Sequence, residues 1–281
     1  MRSIAADKVV SSVADLCREA NYSVGKDVLT SLQKALAGEE NETARTVLEE
    51  IVLNCDLAEK DKMALCQDTG TAVFFIDVGQ KVQITGGNLY DAVNEGVRIG
   101  YGTGCLRNSI VKDPVFDRSN TSDNTPAVIH YDIVPGDRLK ISFMAKGSGA
   151  ENMSALKMLK VSDGIDGVKD FVSATVREAG SRPCPPIIVG VGVGGNFERC
   201  AVLSKKALLR EIGSENPDPE WAQVEKELLA QINDLGIGVQ GFGGKNTALA
   251  VHIIAEPCHI ASLPVSVNIQ CHAVRHKTVT L

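Results

Sequence analysis

The chain has 281 residues, of which 44% are apolar and 23% charged, and its formal net charge is −6. This balance suits a globular protein with a sizeable core, and the acidic excess excludes a general nucleic-acid or polyanion binder, which needs surplus Lys and Arg. No run reaches the ~18 apolar residues of a membrane span. The polar opening Met1-Arg2-Ser3-Ile4-Ala5-Ala6-Asp7-Lys8 does not read as a secretory signal, so a cytoplasmic location is expected.

The first ~60 residues read as helical. Ile4, Val9, Val13 and Leu16 repeat at helical spacing, as do Val28, Leu32 and Leu36, and then Val47, Leu48, Ile51 and Val52. Gly38 closes the second helix and Asn41 caps the third. Thr71 to Asp77 and Lys81 to Thr85 read as a hairpin around Gly79, and Asn88 caps a helix running to Ile99. A long polar loop, Arg107 to Ala127, is of the length that is usually functional or disordered. Val128 to Ile133 and Arg138 to Ala145 read as a second strand pair across Pro135-Gly136-Asp137.

Next comes the glycine-rich turn Lys146-Gly147-Ser148-Gly149-Ala150-Glu151-Asn152. A helix over Gly164 to Ala179, a buried strand over Ile187 to Val191 and a helix over Phe197 to Ile212 follow. The pattern closes with a helix over Asp218 to Leu235, a strand over Ala248 to Ala255, and a tail. No repeat, linker or clean boundary stands out. The expected fold is α+β, with mixed β-sheet elements flanked by many helices in a single large domain, 1–281.

Eight cysteines without an export signal do not read as a disulfide framework, and no CxxC pair supports a zinc or thioredoxin-type site. Cys17, Cys55 and Cys200 fall at apolar positions of helical patterns and read as buried, and Cys105 and Cys258 read as structural too. Cys66, Cys184 and Cys271 differ, because each sits in a short segment that also carries groups able to hold a small dicarboxylate. Their segments are Cys66-Gln67-Asp68-Thr69-Gly70, Pro183-Cys184-Pro185-Pro186 and Asn268-Ile269-Gln270-Cys271-His272. Three thiolates can hold three corners of a cubane iron–sulfur cluster and leave one iron open as a Lewis acid.

Two glycine runs suggest other chemistry. Gly190-Val191-Gly192-Val193-Gly194-Gly195 fits G-x-G-x-x-G, but the acidic residue expected about 20 positions on falls at Glu211, with no strand before it. A tight strand-to-helix turn is the competing reading. Gly241-Phe242-Gly243-Gly244-Lys245-Asn246 is not a phosphate loop, since Asn246 stands where Ser or Thr is required, and Lys245 reads as a structural or substrate-facing cation.

Taken together, the segments resemble the α half of the oxygen-sensitive class I fumarases and L-tartrate dehydratases, the iron–sulfur hydro-lyases. The likeness covers essentially the whole chain. It is carried by Cys-Gln-Asp-Thr-Gly at 66–70, Leu-Arg-Asn-Ser-Ile-Val at 106–111, Asn-Thr-Pro-Ala at 124–127 and Glu-Asn-Met-Ser at 151–154. Cys-Pro-Pro at 184–186, Gly-Val-Gly-Val-Gly-Gly at 190–195, Cys-His-Ile-Ala-Ser-Leu-Pro at 258–264 and Cys-His-Ala-Val-Arg-His at 271–276 complete it. The resemblance implies that Cys66, Cys184 and Cys271 ligate a [4Fe–4S] cluster. It further implies that Gln67, Asp68, Arg107, the Gly149 backbone and His259 line the substrate pocket, with Asp68 and His259 in catalytic roles.

On elementary chemistry Arg107 offers a fork to one carboxylate of a small dicarboxylate. The family usually shows Lys-Gly-Gly-Gly-Ser-Glu-Asn where this chain has Lys146-Gly147-Ser148-Gly149-Ala150-Glu151-Asn152, a departure that bears on Gly149. In the family a β portion supplies a threonine base and further Lys and Arg contacts, so a β subunit partner and an α2β2 assembly are implied. The expected activity is reversible hydration of fumarate to L-malate. The alternatives are L-tartrate dehydration to oxaloacetate, a nucleotide-binding oxidoreductase resting on the Gly190 loop, and a non-catalytic iron–sulfur scaffold.

Overall fold

The computed structural model describes residues 1–281. The chain forms two compact units interleaved in sequence. The first takes Met1–Gly25, Asn54–Ser148 and Arg275–Leu281, and the second takes Lys26–Leu53 and Gly149–Val274. This interleaving is why the sequence shows no clean boundary: the chain passes between units repeatedly, and no single linker separates them. The architecture is α+β, as expected. No helix is long and apolar enough to cross a membrane.

The first unit holds β1 (Arg2–Ala5), α1 (Ala6–Tyr22), β2 (Thr71–Gly79), β3 (Val82–Thr85), α4 (Leu89–Thr103), β4 (Val128–Val134), β5 (Leu139–Lys146) and β10 (His276–Thr280). Its four-stranded sheet has the order β10-β5-β2-β4. Both expected hairpins are corrected. β3 leaves β2 and pairs in parallel with β1, and β2 inserts between β4, to which it is parallel, and β5, to which it is antiparallel. The cause is burial. Residues 72–76 of β2 are apolar and buried on both faces, which only a central strand provides. Ala72, Phe74 and Ile76 meet Val9, Val13 and Leu16 of α1 and Val93, Val97 and Tyr101 of α4. Asn88 caps α4 as expected, accepting from the Asp91 N–H at 2.8 Å.

The second unit holds α2 (Lys26–Gly38), a one-turn helix α5 (Ser148–Glu151, whose first residue closes the first unit), β6 (Ala155–Leu159), α6 (Gly164–Ala179) and β7 (Ile187–Gly195). It continues with α7 (Phe197–Ala207), α8 (Pro219–Asn233), β8 (Ala248–Cys258) and β9 (Leu263–Gln270). Helix α3 (Glu42–Asp61) begins in this unit and ends in the first, and Asn41 caps it by accepting from the Ala44 N–H at 3.0 Å. The sheet order is β6-β9-β7-β8. One face, built from Val189, Val191, Val193, Val265, Val267 and Ile269, packs on α6 and α8. Val224, Leu228 and Ile232 repeat every four residues along the apolar stripe of α8.

The Gly190 run lies inside β7, against the opposite face, and forms no nucleotide loop. A Cβ on Gly190 would lie 2.1 Å from the Ser204 carbonyl oxygen, and one on Gly192 would lie 2.1 Å from that of Cys200. Both carbonyls belong to α7, so these glycines let a helix backbone approach a strand closely. The oxidoreductase reading also lacks its second strand, because no strand lies between Gly195 and Ala248. The second glycine run is anchored by Glu39, whose buried carboxylate accepts from the Lys245 N–H at 3.0 Å and the Asn246 amide at 3.0 Å. Burial alone would raise the Glu39 carboxyl. The donors on Asn41, Asn246, Lys245 and Glu40 together hold it below the usual range. Lys245 Nζ pairs with Glu40 at 2.6 Å, a structural use of that cation.

Replacing Gly192 by Ala should cost about 3 kcal/mol or more through overpacking against α7. Denaturant unfolding measures this, and unchanged stability would contradict the α7–β7 packing.

Candidate active site

In the second unit, β7 and β9 are antiparallel with Ile188 opposite Gln270. The residues just before β7 and just after β9 therefore share one end of the sheet, and these are the Cys184 and Cys271 segments. His272 ties them together. Its backbone N–H donates to the Cys184 carbonyl at 3.4 Å, and its Nδ1 lies 3.0 Å from the same oxygen. Cys184 is exposed and stands in the left-handed region at φ 57°, uncommon for a residue with a Cβ and upheld by these contacts. Cys271 is half-buried, with the Gln270 amide 3.5 Å from its sulfur.

Gly149 lies at the same sheet end, because β6 is antiparallel to β9 with Ala155 opposite Val267. The Ile269 N–H donates to Ser154 Oγ there at 3.3 Å, and the Glu151 carboxylate joins the Lys205 ammonium and the Asn268 amide. Gly149 is exposed, and a Cβ built on it would meet only the Arg182 carbonyl, at 3.6 Å.

In the first unit, Cys66, Gln67 and Asp68 lie in the loop that enters β2. Cys66 is partly exposed, with its sulfur 3.5 Å from Gln67 Oε1. The Asp68 carboxylate is already engaged. Oδ1 accepts from the Gly70 N–H at 3.0 Å, and Oδ2 accepts from the Ser148 N–H at 2.8 Å and its hydroxyl at 3.2 Å. Asp68 thus ties its loop to the turn after β5. Exposed Arg107 is joined to the same loop through its carbonyl, which accepts from Thr69 Oγ1 at 2.9 Å.

His259 stands elsewhere. It is exposed at the tip between β8 and β9, its Nδ1 accepting from the Ala261 N–H at 3.1 Å. The eight residues of β9 separate that tip from Cys271, a span of roughly 26 Å at ~3.3 Å per residue. Beside His259 lies a cavity of ≈ 840 Å³ lined by Trp221, Ile165, Ile260 and Leu263, well away from the cysteine end.

The donor chemistry separates the cysteines, none of which is in a disulfide. Cys17, Cys55 and Cys200 are buried, as expected, and burial raises all three thiols. Cys55 reaches about 11, with Asp56 and Glu59 adding to the effect. Cys66, Cys184 and Cys271 are accessible and set in loops at strand ends, and their soft sulfur donors are of the kind an iron–sulfur cluster takes. Cys105 and Cys258 are exposed too, although the sequence reads them as structural. Cys258 donates to the Ser262 carbonyl at 3.2 Å, at the His259 end.

The fumarate hydratase (Fumerase) family model matches residues 10–280, and the chain belongs to that family of hydro-lyases. The chain is 42% identical over 272 residues to a Methanocaldococcus jannaschii protein named "Putative L(+)-tartrate dehydratase subunit alpha", covering 95% of each chain. It is 32% identical over 279 residues to the L(+)-tartrate dehydratase subunit alpha of Escherichia coli K12, covering 98% of this chain and 91% of that one.

Sequence reasoning missed Asn21, Tyr101, Asn124 and Arg275, which surround the Asp68 loop from inside the first unit. The matched motifs at 124–127 and 271–276 contain Asn124 and Arg275 but assign neither a role. In the metal-free native protein, a maleimide should modify Cys66, Cys105, Cys184, Cys258 and Cys271 at least ~100-fold faster than Cys17, Cys55 and Cys200. Peptide mass spectrometry reads the partition, and comparable labelling of the two groups would contradict the assigned environments.

Proposed function

We propose that this chain is the α subunit of a two-subunit hydro-lyase that adds water reversibly across a four-carbon dicarboxylate. Membership of the fumarate hydratase family carries the reaction class. The observation that carries the site is the pairing of the Cys184 and Cys271 segments at one sheet end, both thiols accessible. In this reading Cys66, Cys184 and Cys271 together hold a [4Fe–4S] cluster. When bound, the cluster supplies Lewis acidity at the iron that no cysteine ligates.

The chain's own residues do the rest. Arg107 binds one substrate carboxylate through its guanidinium fork, offsetting the desolvation of that charge. Asp68, fixed in orientation by the Gly70 and Ser148 donors, faces the substrate hydroxyl with the remaining lone pair of Oδ1. Gln67 and the Gly149 backbone supply neutral polar contacts. A β subunit partner, in an α2β2 assembly, supplies the remaining proton-transfer groups.

Fumarate and L-malate are the first substrate reading, following the family. L-tartrate is the second, favoured by the names of the relatives. Co-expression with the β chain under anaerobic conditions, followed by assays on malate and tartrate, tests the reaction. Turnover of neither acid by a loaded complex would contradict it. Cys66→Ala, Cys184→Ala and Cys271→Ala should each abolish the visible absorbance after reconstitution with iron and sulfide, whereas Cys17→Ala and Cys200→Ala should retain it. A wild-type spectrum in any of the first three would remove that ligand.

The position of His259 adds a condition. At the far end of β9 from Cys271, it enters such a site only from a second copy of this chain. Co-expressing His259→Asn and Cys271→Ala copies should restore part of the activity that each lacks alone. Failure to restore any would contradict a shared site.

A further inference from the structure

The segment Asp68–Gly70 presents three successive carbonyls, and buried side chains from distant parts of the first unit satisfy each one. The Asp68 carbonyl accepts from Arg275 Nη1. The Thr69 carbonyl accepts from Tyr101 Oη at 2.9 Å. The Gly70 carbonyl accepts from Asn124 Nδ2 at 3.1 Å and lies 3.2 Å from the same tyrosine hydroxyl. Arg275 is 1% exposed, and Tyr101 and Asn124 are 0% exposed. Outward from this bracket, Thr69 holds the Arg107 carbonyl and Asp68 holds the Ser148 turn.

Burying polar groups is costly, and burying a charge more so. Arg275 is an extreme case. Its Nη1 reaches neutral acceptors only, the Asp68 carbonyl and Asn21 Oδ1 at 3.4 Å, and its Nε has no acceptor. Apolar side chains of similar volume would stabilise a core at least as well, so stability alone does not account for this choice. What the three donors share is the segment they fix, whose exposed side carries the Cys66 thiol, Gln67 and the Asp68 carboxylate.

We propose that Arg275, Tyr101 and Asn124 are positioning residues that set the Cys66–Gly70 segment in its ligand-holding conformation before any ligand arrives. What the segment then binds rests on the proposed function. The prearrangement does not, and it is measurable in the metal-free chain.

Tyr101→Phe removes a single hydroxyl at nearly constant volume. In the metal-free full chain, alkylation of Cys66 should accelerate on the order of tenfold, the effect of losing one buried hydrogen bond on a local opening equilibrium. Cys184 and Cys105 in the same sample should keep their rates. Arg275→Met should accelerate Cys66 at least as much, and Arg275→Lys should fall between it and wild type. Should Arg275→Met fail to fold, Tyr101→Phe and Arg275→Lys still decide the matter. In the loaded chain, chelator-driven loss of cluster absorbance should quicken on the same scale. Equal acceleration at Cys66, Cys184 and Cys105 would mark general loosening and overturn the proposal, as would an unchanged Cys66 rate. If Cys66 responds as expected while the complex turns over no dicarboxylate, the proposed reaction falls and the positioning role stands.

Discussion

The antiparallel register of β7 against β9, with Ile188 opposite Gln270, decides where chemistry is available in the second unit. It sets the entrance of one buried strand beside the exit of the other, so two cysteine segments far apart in sequence become neighbours joined through His272. The same register sends the β8–β9 tip, and His259 with it, to the opposite end of the sheet. One strand pairing thus gathers two candidate ligands at one sheet end and sets His259 at the other. Gly190 and Gly192 maintain that pairing from behind, since any side chain there would push α7 off the sheet.

The first unit solves a different problem. On the proposed reading the Cys66–Gly70 loop presents a thiol, an amide and a carboxylate to a ligand, so most of its anchoring has to come from other groups. The structure ties it through its carbonyls instead, using Arg275, Tyr101 and Asn124 from the interior. The Asp68 carboxylate is oriented in turn by backbone N–H groups, which cannot rotate away as side chains can. On the proposed reading, the residues that meet the ligand are thereby separated from the residues that hold them in place.

Helices were legible in the sequence because their signals are local: the Val224-Leu228-Ile232 stripe and the Asn41 and Asn88 caps need no knowledge of the rest of the chain. Strand partners were not. β2 and β3 adjoin in sequence with a glycine between, yet their partners lie elsewhere, because pairing follows burial of the whole sheet. β9 was missed because Ser266, Asn268 and Gln270 alternate with Val265, Val267 and Ile269, as in a half-exposed segment. The polar set is buried as well, against α7 and Glu151. The cysteine segments were legible as motifs, and their shared likeness to one family identified them. Arg275 was not, since a buried arginine looks like any surface arginine until its surroundings are known.

The central claim is that Cys66, Cys184 and Cys271 hold a single cubane with one iron free of cysteine. Mössbauer spectroscopy of the chain reconstituted anaerobically with ⁵⁷Fe tests this most directly. On adding a dicarboxylate to the αβ complex, one iron in four should change its isomer shift and quadrupole splitting while the other three hold theirs. A spectrum unmoved by every dicarboxylate, or iron bound only as mononuclear or two-iron species, would contradict the account.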